Sequence, residues 1–351
     1  MSANPVSSPK AVIGLQPLGF PWATIDPFLF CAYHDDAYPR GNGAYGPDAS
    51  LAGRQMGQDF AGKDGWRMYH GMTVPGFPSH PHRGFETVTI VRKGLIDHSD
   101  SLGATARFGG GDVQWLTAGR GIVHSEMFPL LETTQDNPLE LFQIWLNLPA
   151  KNKMVAPHFT MFWSEQVPGK VFTDANGLTT AVSCIAGQIN GVDKPLAPPP
   201  DSRASQADAD VAMWTLKMAP GARWTLPAAS PGARRSLYFF KGQQVAVGGQ
   251  TVSSHAAIEL NASIDVELVN GPQVSEFLVL QGKPIAEPVA QYGPFVMNTE
   301  AEIHQAFADY RRTEFGGWPW PDNAPVHGPD RVRFAKHADG QVETLAIQDK
   351  P

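Results

Sequence analysis

Short apolar runs separated by turn residues dominate the chain between residues 66 and 149. Residues 85–91 (FETVTIV) are rich in β-branched side chains and end just before a Lys-Gly pair. A second run, residues 112–116, follows a glycine triplet, and residues 139–148 (LELFQIWLNL) present two different faces. Runs of this length, rich in β-branched and aromatic residues and bounded by turns, are typical of strands. The pattern therefore predicts a β-sandwich or β-barrel in this part of the chain.

A second strand-rich stretch runs from residue 169 to residue 280 and repeats one feature of the first. Residues 237–240 (LYFF) precede Lys241-Gly242, much as the run ending at residue 91 precedes Lys93-Gly94. In both places a further apolar strand pattern follows the Lys-Gly turn. We interpret this shared order as an internal duplication whose two copies have diverged in sequence.

These patterns predict three segments. Residues 147–153 interrupt the strand pattern, so we predict an N-terminal barrel over residues 1–150 and a C-terminal barrel over residues 151–290. Residues 291–351 are predicted to form a helix and an extended tail. We expect this tail to pack on the body, because two tryptophans occur in its proline-rich part.

One helix has a clear start signal. Thr299 and Glu302 have the spacing of a capping box, in which each side chain bonds the other residue's backbone amide. Apolar residues then recur at helical spacing at Ile303, Phe307 and Tyr310. The sequence therefore predicts a helix with one buried face near the C-terminus.

Composition narrows the functional classes. The 351 residues include 35 glycines and 31 prolines, which suits short strands joined by tight turns. The formal net charge of −7 offers no basic surface for direct nucleic-acid binding. Two distant cysteines, Cys31 and Cys184, favour a reducing compartment. The sequence shows no run of about 18 apolar residues and no secretory signal pattern, so we expect a cytoplasmic protein without a membrane span.

Two histidine-bearing fragments concentrate the chemistry of the chain. His80 and His82 stand at positions i and i+2, and so do His124 and Glu126. In an extended strand this spacing puts both side chains on the same face. Two such strands side by side would direct three imidazoles and a carboxylate at one point, which suits a divalent transition metal. The second half contains neither pattern, so we expect no metal in the C-terminal barrel.

Five neighbouring residues have two interpretations each. Glu86 has the even spacing that would place it on the ligand face, but a glycine before it makes a break in the strand plausible. His98 either lines the cleft or is a surface or hydrogen-bonded structural histidine, and the second interpretation is favoured. Gln143 either lines a pocket or is a satisfied core amide. Arg83 and Arg120 either steer an anion or are solvated loop residues, and the latter is commoner.

Longer motifs resemble a known family. His80, His82, Glu86 and Gly94 resemble the first cupin signature, and the segment from residue 111 to His124 resembles the second, although Thr117 stands where many cupins have proline. The match to the pirin family is closer and extends from about residue 20 to about residue 337. The motifs that carry it are HPHRGFETVT, DSLG, GDVQWLTAGRGIVHSEM, FQIWLNLPAKNKM, QYGPFVMNT and AEIHQAFADY.

The resemblance implies an all-β bicupin fold, with two antiparallel jelly-roll barrels and a few short helices. It implies a metal in the N-terminal barrel, held by His80, His82, His124 and Glu126, so that Glu126 instead of Glu86 supplies the carboxylate. Glu126 is also the candidate catalytic residue. The expected metal is iron(II), with nickel, manganese, cobalt, copper and zinc as alternatives.

Three functions agree with this resemblance. The leading hypothesis is a dioxygenase of the quercetin 2,3-dioxygenase type, which opens the ring of a flavonol with O₂. The alternative is a non-enzymatic, redox-sensitive iron protein that acts through protein partners, and a third is a modulator of metabolic enzymes. We expect a monomer that contacts neither nucleic acid nor membrane.

Overall fold

The chain divides into two compact units, each of which joins segments distant in sequence. The structure is a computed structural model that describes residues 9–345. The N-unit comprises Ala32–Ser164 and the described residues from Glu287 onward. The C-unit comprises the described residues up to Cys31 together with Glu165–Ala286. In these units the tail groups with the N-unit and the first strand with the C-unit, so the division differs from the predicted boundaries at 150 and 290. Those boundaries remain a prediction.

Strands are the main secondary structure of the described residues, and the class is all-β as predicted. In chain order they are β1 Val12–Pro17, β2 Phe28–Tyr38, β3 Gly76–His82, β4 Phe85–Lys93, β5 Leu95–Asp100, β6 Thr105–Gly109, β7 Val113–Thr117, β8 Ile122–Met127, β9 Asn137–Asn147, β10 His158–Phe162, β11 Gly169–Thr173, β12 Thr179–Ala186, β13 Ala212–Met218, β14 Arg223–Leu226, β15 Arg234–Lys241, β16 Gln244–Val247, β17 Gln250–Ser253, β18 Ala256–Leu260, β19 Val266–Asn270, β20 Ser275–Gly282, β21 Ala290–Tyr292, β22 Phe295–Met297, β23 Arg333–Lys336 and β24 Val342–Leu345.

Each unit is built from two main antiparallel sheets. In the N-unit the sheet orders are β10-β7-β4-β9-β2 and β24-β23-β6-β5-β8-β3, and β21 and β22 form a separate hairpin. In the C-unit the orders are β1-β18-β15-β20-β13-β12-β11 and β14-β19-β16-β17. β4 is buried along its first seven residues, because it is a central strand flanked by β7 and β9 and covered on both faces. Its continuous apolar and β-branched sequence suits that position.

Each unit has an apolar core of its own. The N-unit core includes Phe108, Leu116 and Trp163, all with at most 1% of their surface exposed. The C-unit core includes Trp214, Leu237 and Phe277. Burying one side chain of this size contributes about 1.5–3 kcal/mol, so each core outweighs any single polar contact.

The predicted C-terminal helix is present. It is α1, Glu300–Thr313, and 3-10 turns occur at Lys63–Gly65, Ala150–Asn152, Arg203–Ser205 and Glu314–Gly316. Thr299 and Glu302 form the reciprocal capping box, with Thr299 Oγ1 accepting from the Glu302 amide. Ile303 is buried in a small apolar cluster with Phe295. None of the helices between residues 9 and 345 has the length and apolar character needed to cross a membrane.

The tail after α1 contacts other segments of the N-unit. Trp320 donates its indole N–H to the Asp100 carbonyl at 2.9 Å. Beyond it, β23 pairs with β6 and extends the sheet that contains β5, β8 and β3. The pairing of this late strand was not predicted from sequence, because its apolar alternation is only a few residues long.

Candidate metal centre

Strands β3 and β8 place three histidines together. The two strands pair antiparallel, with His80 opposite His124 and His82 opposite Ile122, and an irregularity in register occurs between Phe77 and His80. One ring nitrogen from each of His80, His82 and His124 lies within 4.8 Å of the others. We call these three residues the histidine cluster. The predicted arrangement of two i, i+2 motifs on neighbouring strands is therefore present.

Backbone carbonyls determine which nitrogen of two cluster members carries the hydrogen. His80 Nδ1 lies 2.8 Å from the Pro78 carbonyl oxygen, and His82 Nδ1 lies 3.4 Å from the Pro294 carbonyl oxygen. Because a carbonyl oxygen can only accept, each Nδ1 must be the donor. Nε2 of both rings then carries a free lone pair. This is the tautomer that a histidine metal ligand requires, with its other nitrogen oriented by a hydrogen bond.

His124 supplies the test of whether the cluster suits a metal. Its side chain is completely buried, and neither ring nitrogen has a hydrogen-bond partner among the described residues. A buried polar group without a partner is costly, and such groups are rare in native proteins. A metal ion bound between the three rings would satisfy one of these nitrogens. The donor set, three imidazoles, also suits a divalent transition metal.

Burial keeps the three imidazoles neutral. It lowers the pKa of His80 to about 4, and it lowers the pKa values of His82 and His124 well below the usual range. The neighbouring rings within the cluster lower these pKa values further for His82 and His124. A neutral imidazole is the form that binds a metal, so the cluster does not have to release protons at neutral pH.

Glu126 lies on the same strand as His124 but is not part of the histidine cluster. Its Oε1 accepts a hydrogen bond from Thr89 Oγ1 at 3.0 Å, and its Oε2 accepts from Gln143 Nε2 at 3.3 Å. Burial raises its pKa above the usual value, and the two hydrogen bonds oppose that shift. The structure thus brings together three of the four predicted ligands. The role of Glu126 as ligand and catalytic residue remains a prediction.

The Glu86 carboxylate is hydrogen-bonded to two residues outside the histidine cluster. Its Oε1 accepts hydrogen bonds from Trp115 Nε1 at 3.0 Å and from Thr117 Oγ1 at 2.9 Å. The carboxylate is fully buried, and it is not a member of the histidine cluster. Thr117, the residue that departs from the common cupin pattern, lies opposite Glu86 in the β4–β7 pair. Its hydroxyl therefore satisfies a buried acid that a proline could not.

His98 and Gln143 both lie beside the site. His98 Nε2 is 3.0 Å from Asp100 Oδ2, and its ring stacks on Phe159 with 5.2 Å between centroids. His98 is therefore hydrogen-bonded, as one form of the favoured interpretation had it, but it is buried and not at the surface, and its ring lies 5.6 Å from that of His124. Gln143 is half-buried and its Nε2 donates to Glu126 Oε2, so its amide is hydrogen-bonded, whereas its pocket-lining role stays a prediction.

The two arginines differ in their surroundings. Arg120 is exposed, as expected for a loop residue. Arg83 is 5% exposed and donates to Asp309 at 2.9 Å, so the expectation of a solvated side chain was wrong. The reason is that α1 and its neighbours cover the loop after His82, which no local pattern in the sequence indicates.

Three other residues near the site were missed by sequence reasoning. Thr89 donates to Glu126, the Pro294 carbonyl faces His82, and the Trp145 ring lies 5.5 Å from that of His82. Thr89 lies opposite Gln143 in the β4–β9 pair, so the strand register would have identified it. Pro294 is 212 residues from His82, and no local pattern in the sequence places its carbonyl beside that ring.

Comparison with known proteins agrees with this architecture. The pirin model matches residues 21–146, and the model of the pirin C-terminal cupin domain matches residues 213–316. The chain belongs to the pirin family. This membership confirms the predicted bicupin fold.

Individual pirin relatives are similar over most of the chain. Human pirin is 36% identical over 69% of this chain and 78% of its own length. A Pseudomonas aeruginosa protein provisionally named quercetin 2,3-dioxygenase is 38% identical over 68% of this chain and 79% of its own. Among solved structures, a quercetin 2,3-dioxygenase from Acinetobacter baumannii is 26% identical with a TM-score of 0.69, covering 88% of this chain and 99% of that one.

Proposed function

We propose that this pirin is a metal-dependent dioxygenase that opens the ring of a flavonol with O₂, as in the quercetin 2,3-dioxygenase reaction. The observation that carries the proposal is the histidine cluster, in which His124 is buried without a hydrogen-bond partner and His80 and His82 have Nε2 free. The names of the Pseudomonas aeruginosa and Acinetobacter baumannii relatives support the reaction class.

The histidines and Glu126 would hold the metal. His80, His82 and His124 would bind through neutral nitrogens, and the carboxylate of Glu126 would be the fourth ligand. When bound, iron(II) supplies Lewis-acid and one-electron chemistry at the flavonol oxygen and O₂.

The remaining side chains would orient the substrate and handle its proton. Glu126, whose pKa burial raises, receives the proton of the flavonol 3-hydroxyl at a carboxylate oxygen. Gln143 Nε2 holds that carboxylate in place. The half-buried rings of Phe77 and Trp145, which lie beside His80 and His82, provide apolar surface for a planar aromatic molecule and exclude water.

A paired assay tests the proposal. The purified protein is analysed for metal, loaded anaerobically with iron(II), and assayed for O₂ consumption with quercetin and with the matching flavone that lacks the 3-hydroxyl. We expect O₂ uptake with quercetin only. His80→Ala should abolish it, whereas His304→Ala, which changes an exposed histidine on α1, should not.

Two outcomes would count against the proposal. A protein that binds no metal lacks the predicted centre. A protein that binds iron(II) but consumes no O₂ with any flavonol tested is not a flavonol dioxygenase, and the regulator alternative would then be preferred.

A further inference from the structure

Arg83 forms a buried ion pair next to the ligand His82. Its Nη1 donates to Asp309 Oδ2 at 2.9 Å, and its Nε donates to the Arg120 carbonyl at 2.6 Å. The side chain of Arg83 is 6% exposed and that of Asp309 is 17% exposed. Hydrogen bonding from Arg83 lowers the pKa of Asp309 to about 2, so the pair stays charged at neutral pH. Arg83 therefore links α1 to both segments that carry cluster histidines.

Phe315, just after α1, covers the same region. Its ring centroid lies 4.5 Å from Arg83 Cζ, within the range of a cation–π contact. The ring also lies against Gly121, where an added Cβ would approach it to 2.5 Å. Glu314 and Phe315 both adopt positive φ, 46° and 49°, which is unfavourable for residues other than glycine. This turn places the ring between Arg83 and the start of β8.

The β21–β22 hairpin holds the loop after His82 from a third direction. The Pro294 carbonyl lies 3.4 Å from His82 Nδ1 and also accepts from the Arg83 amide. The Val296 amide donates to the Arg83 carbonyl at 3.0 Å. Gly84 has no room for a side chain, because an added Cβ would lie 1.9 Å from the Val296 carbonyl oxygen. The position of His82 thus depends on the C-terminal segment.

We propose that Asp309 and Phe315 are positioning residues of the metal centre, which act through Arg83 to hold His82 and the start of β8 in the geometry that binds the ion. Substituting a residue that orients a metal ligand without binding the metal itself typically lowers metal affinity 10- to 100-fold. The ion pair between Arg83 and Asp309 explains physically why metal affinity should change. Without Asp309, the buried guanidinium loses its counter-ion, and the loop that it anchors can move. This inference rests on the proposed metal site.

Cobalt(II) is a suitable probe, because its visible spectrum reports ligand geometry as well as binding. We expect Asp309→Asn to weaken cobalt(II) binding about tenfold in a chelator competition and to alter the spectrum. Asp309→Glu, which keeps the carboxylate, should restore much of the affinity. Glu300→Gln removes the same charge from an exposed site on the same helix and should match the wild type. Thermal unfolding of the metal-free proteins checks that each variant is folded.

Phe315→Leu provides the second test if Asp309→Asn does not fold, and it should weaken binding about threefold, because it removes only the cation–π contact to Arg83. Wild-type affinity and an unchanged spectrum in the folded variant would overturn the inference. Failure of the wild type itself to bind cobalt(II) is a different result, since it removes the proposed metal centre as a whole.

Discussion

The two units use equivalent strand pairs for opposite purposes. Strands β4 to β9 of the N-unit and β15 to β20 of the C-unit follow one another in the same order, and a Lys-Gly turn joins the first two strands of each series. β4 lies between β7 and β9, just as β15 lies between β18 and β20. This repeat supports the predicted internal duplication. It makes the β14–β19 pair of the C-unit the counterpart of the β3–β8 pair.

The side chains of these counterparts differ in kind. Where the N-unit has His80 opposite His124, the C-unit has Trp224 opposite Leu268 and Leu226 opposite Val266. Leu226, Val266 and Leu268 are fully buried in the apolar core of their unit. Apolar side chains on paired strands are stabilised by packing alone. Buried imidazoles also need a hydrogen-bond partner or a metal ion. The counterpart strands therefore give the N-unit a polar interior at this position and the C-unit an apolar one.

The largest effect is expected from making the N-unit resemble its counterpart. His124→Leu removes one of the proposed ligands, so we expect metal affinity to fall at least about 100-fold. The same change removes a buried imidazole without a partner, and the metal-free protein should therefore melt at the same or a higher temperature. Metal titration and calorimetry of the metal-free protein measure the two effects. Retained metal binding, or a large drop in melting temperature, would contradict the comparison.

The reciprocal experiment concerns packing in the C-unit. Leu268→Ala should lower the free energy of unfolding by about 2–5 kcal/mol, because it leaves a cavity in a closed core. Metal stoichiometry should not change. Denaturant unfolding and elemental analysis provide the two measurements. A loss of metal in this variant would mean that packing in the C-unit affects metal binding in the N-unit, although the two apolar cores are separate.

Acid should affect the two units differently. Burial lowers the pKa of His34 to about 3 and that of His80 to about 4, both below the usual 6.5. The unfolded chain then protonates these two imidazoles while the folded chain does not, so their contribution leaves stability unchanged above about pH 6.5 and lowers it as the pH falls toward 4. Of the eleven histidines, the C-unit contains only His255.

Hydrogen exchange of the metal-free protein at pH 7 and pH 5, corrected for intrinsic rates, should show destabilisation of N-unit strands only. His34→Gln should reduce the difference between the two pH values. Equal destabilisation of both units would show that the buried histidines are not its cause.

The smallest effect is expected from the contacts of Glu126. Thr89→Val removes a hydroxyl whose hydrogen is shared between Glu126 Oε1 and Gln143 Oε1, and we expect a loss of about 1 kcal/mol in stability. If Glu126 handles the substrate proton, the rate of flavonol-dependent O₂ uptake should fall severalfold, while metal affinity stays within about threefold of the wild type. Thr87→Val, on the same strand but with no recorded contact to Glu126, is the control. An unchanged rate would leave Glu126 without the proposed proton role.

Sequence patterns identified the parts of the site that depend on local periodicity. The i, i+2 spacing of His80 and His82 needs only an extended strand, and the capping box of α1 needs only Thr299 and Glu302. The choice between Glu86 and Glu126 was different. Spacing alone allowed either carboxylate to be the fourth ligand. Only the pairing of β4 with β7 shows that Glu86 is hydrogen-bonded to Trp115 and Thr117.

The chain by itself determined the strand periodicity, the duplicated order of strands and the residue types able to bind a metal, because each of these is encoded within a few consecutive residues. Only the tertiary structure decided that β3 lies beside β8, that Pro294 orients His82, and that Arg83 is buried against Asp309. Arg83 and Asp309 are 226 positions apart in sequence. Contacts at such separation follow from how sheets, hairpin and helix pack, which no local pattern specifies.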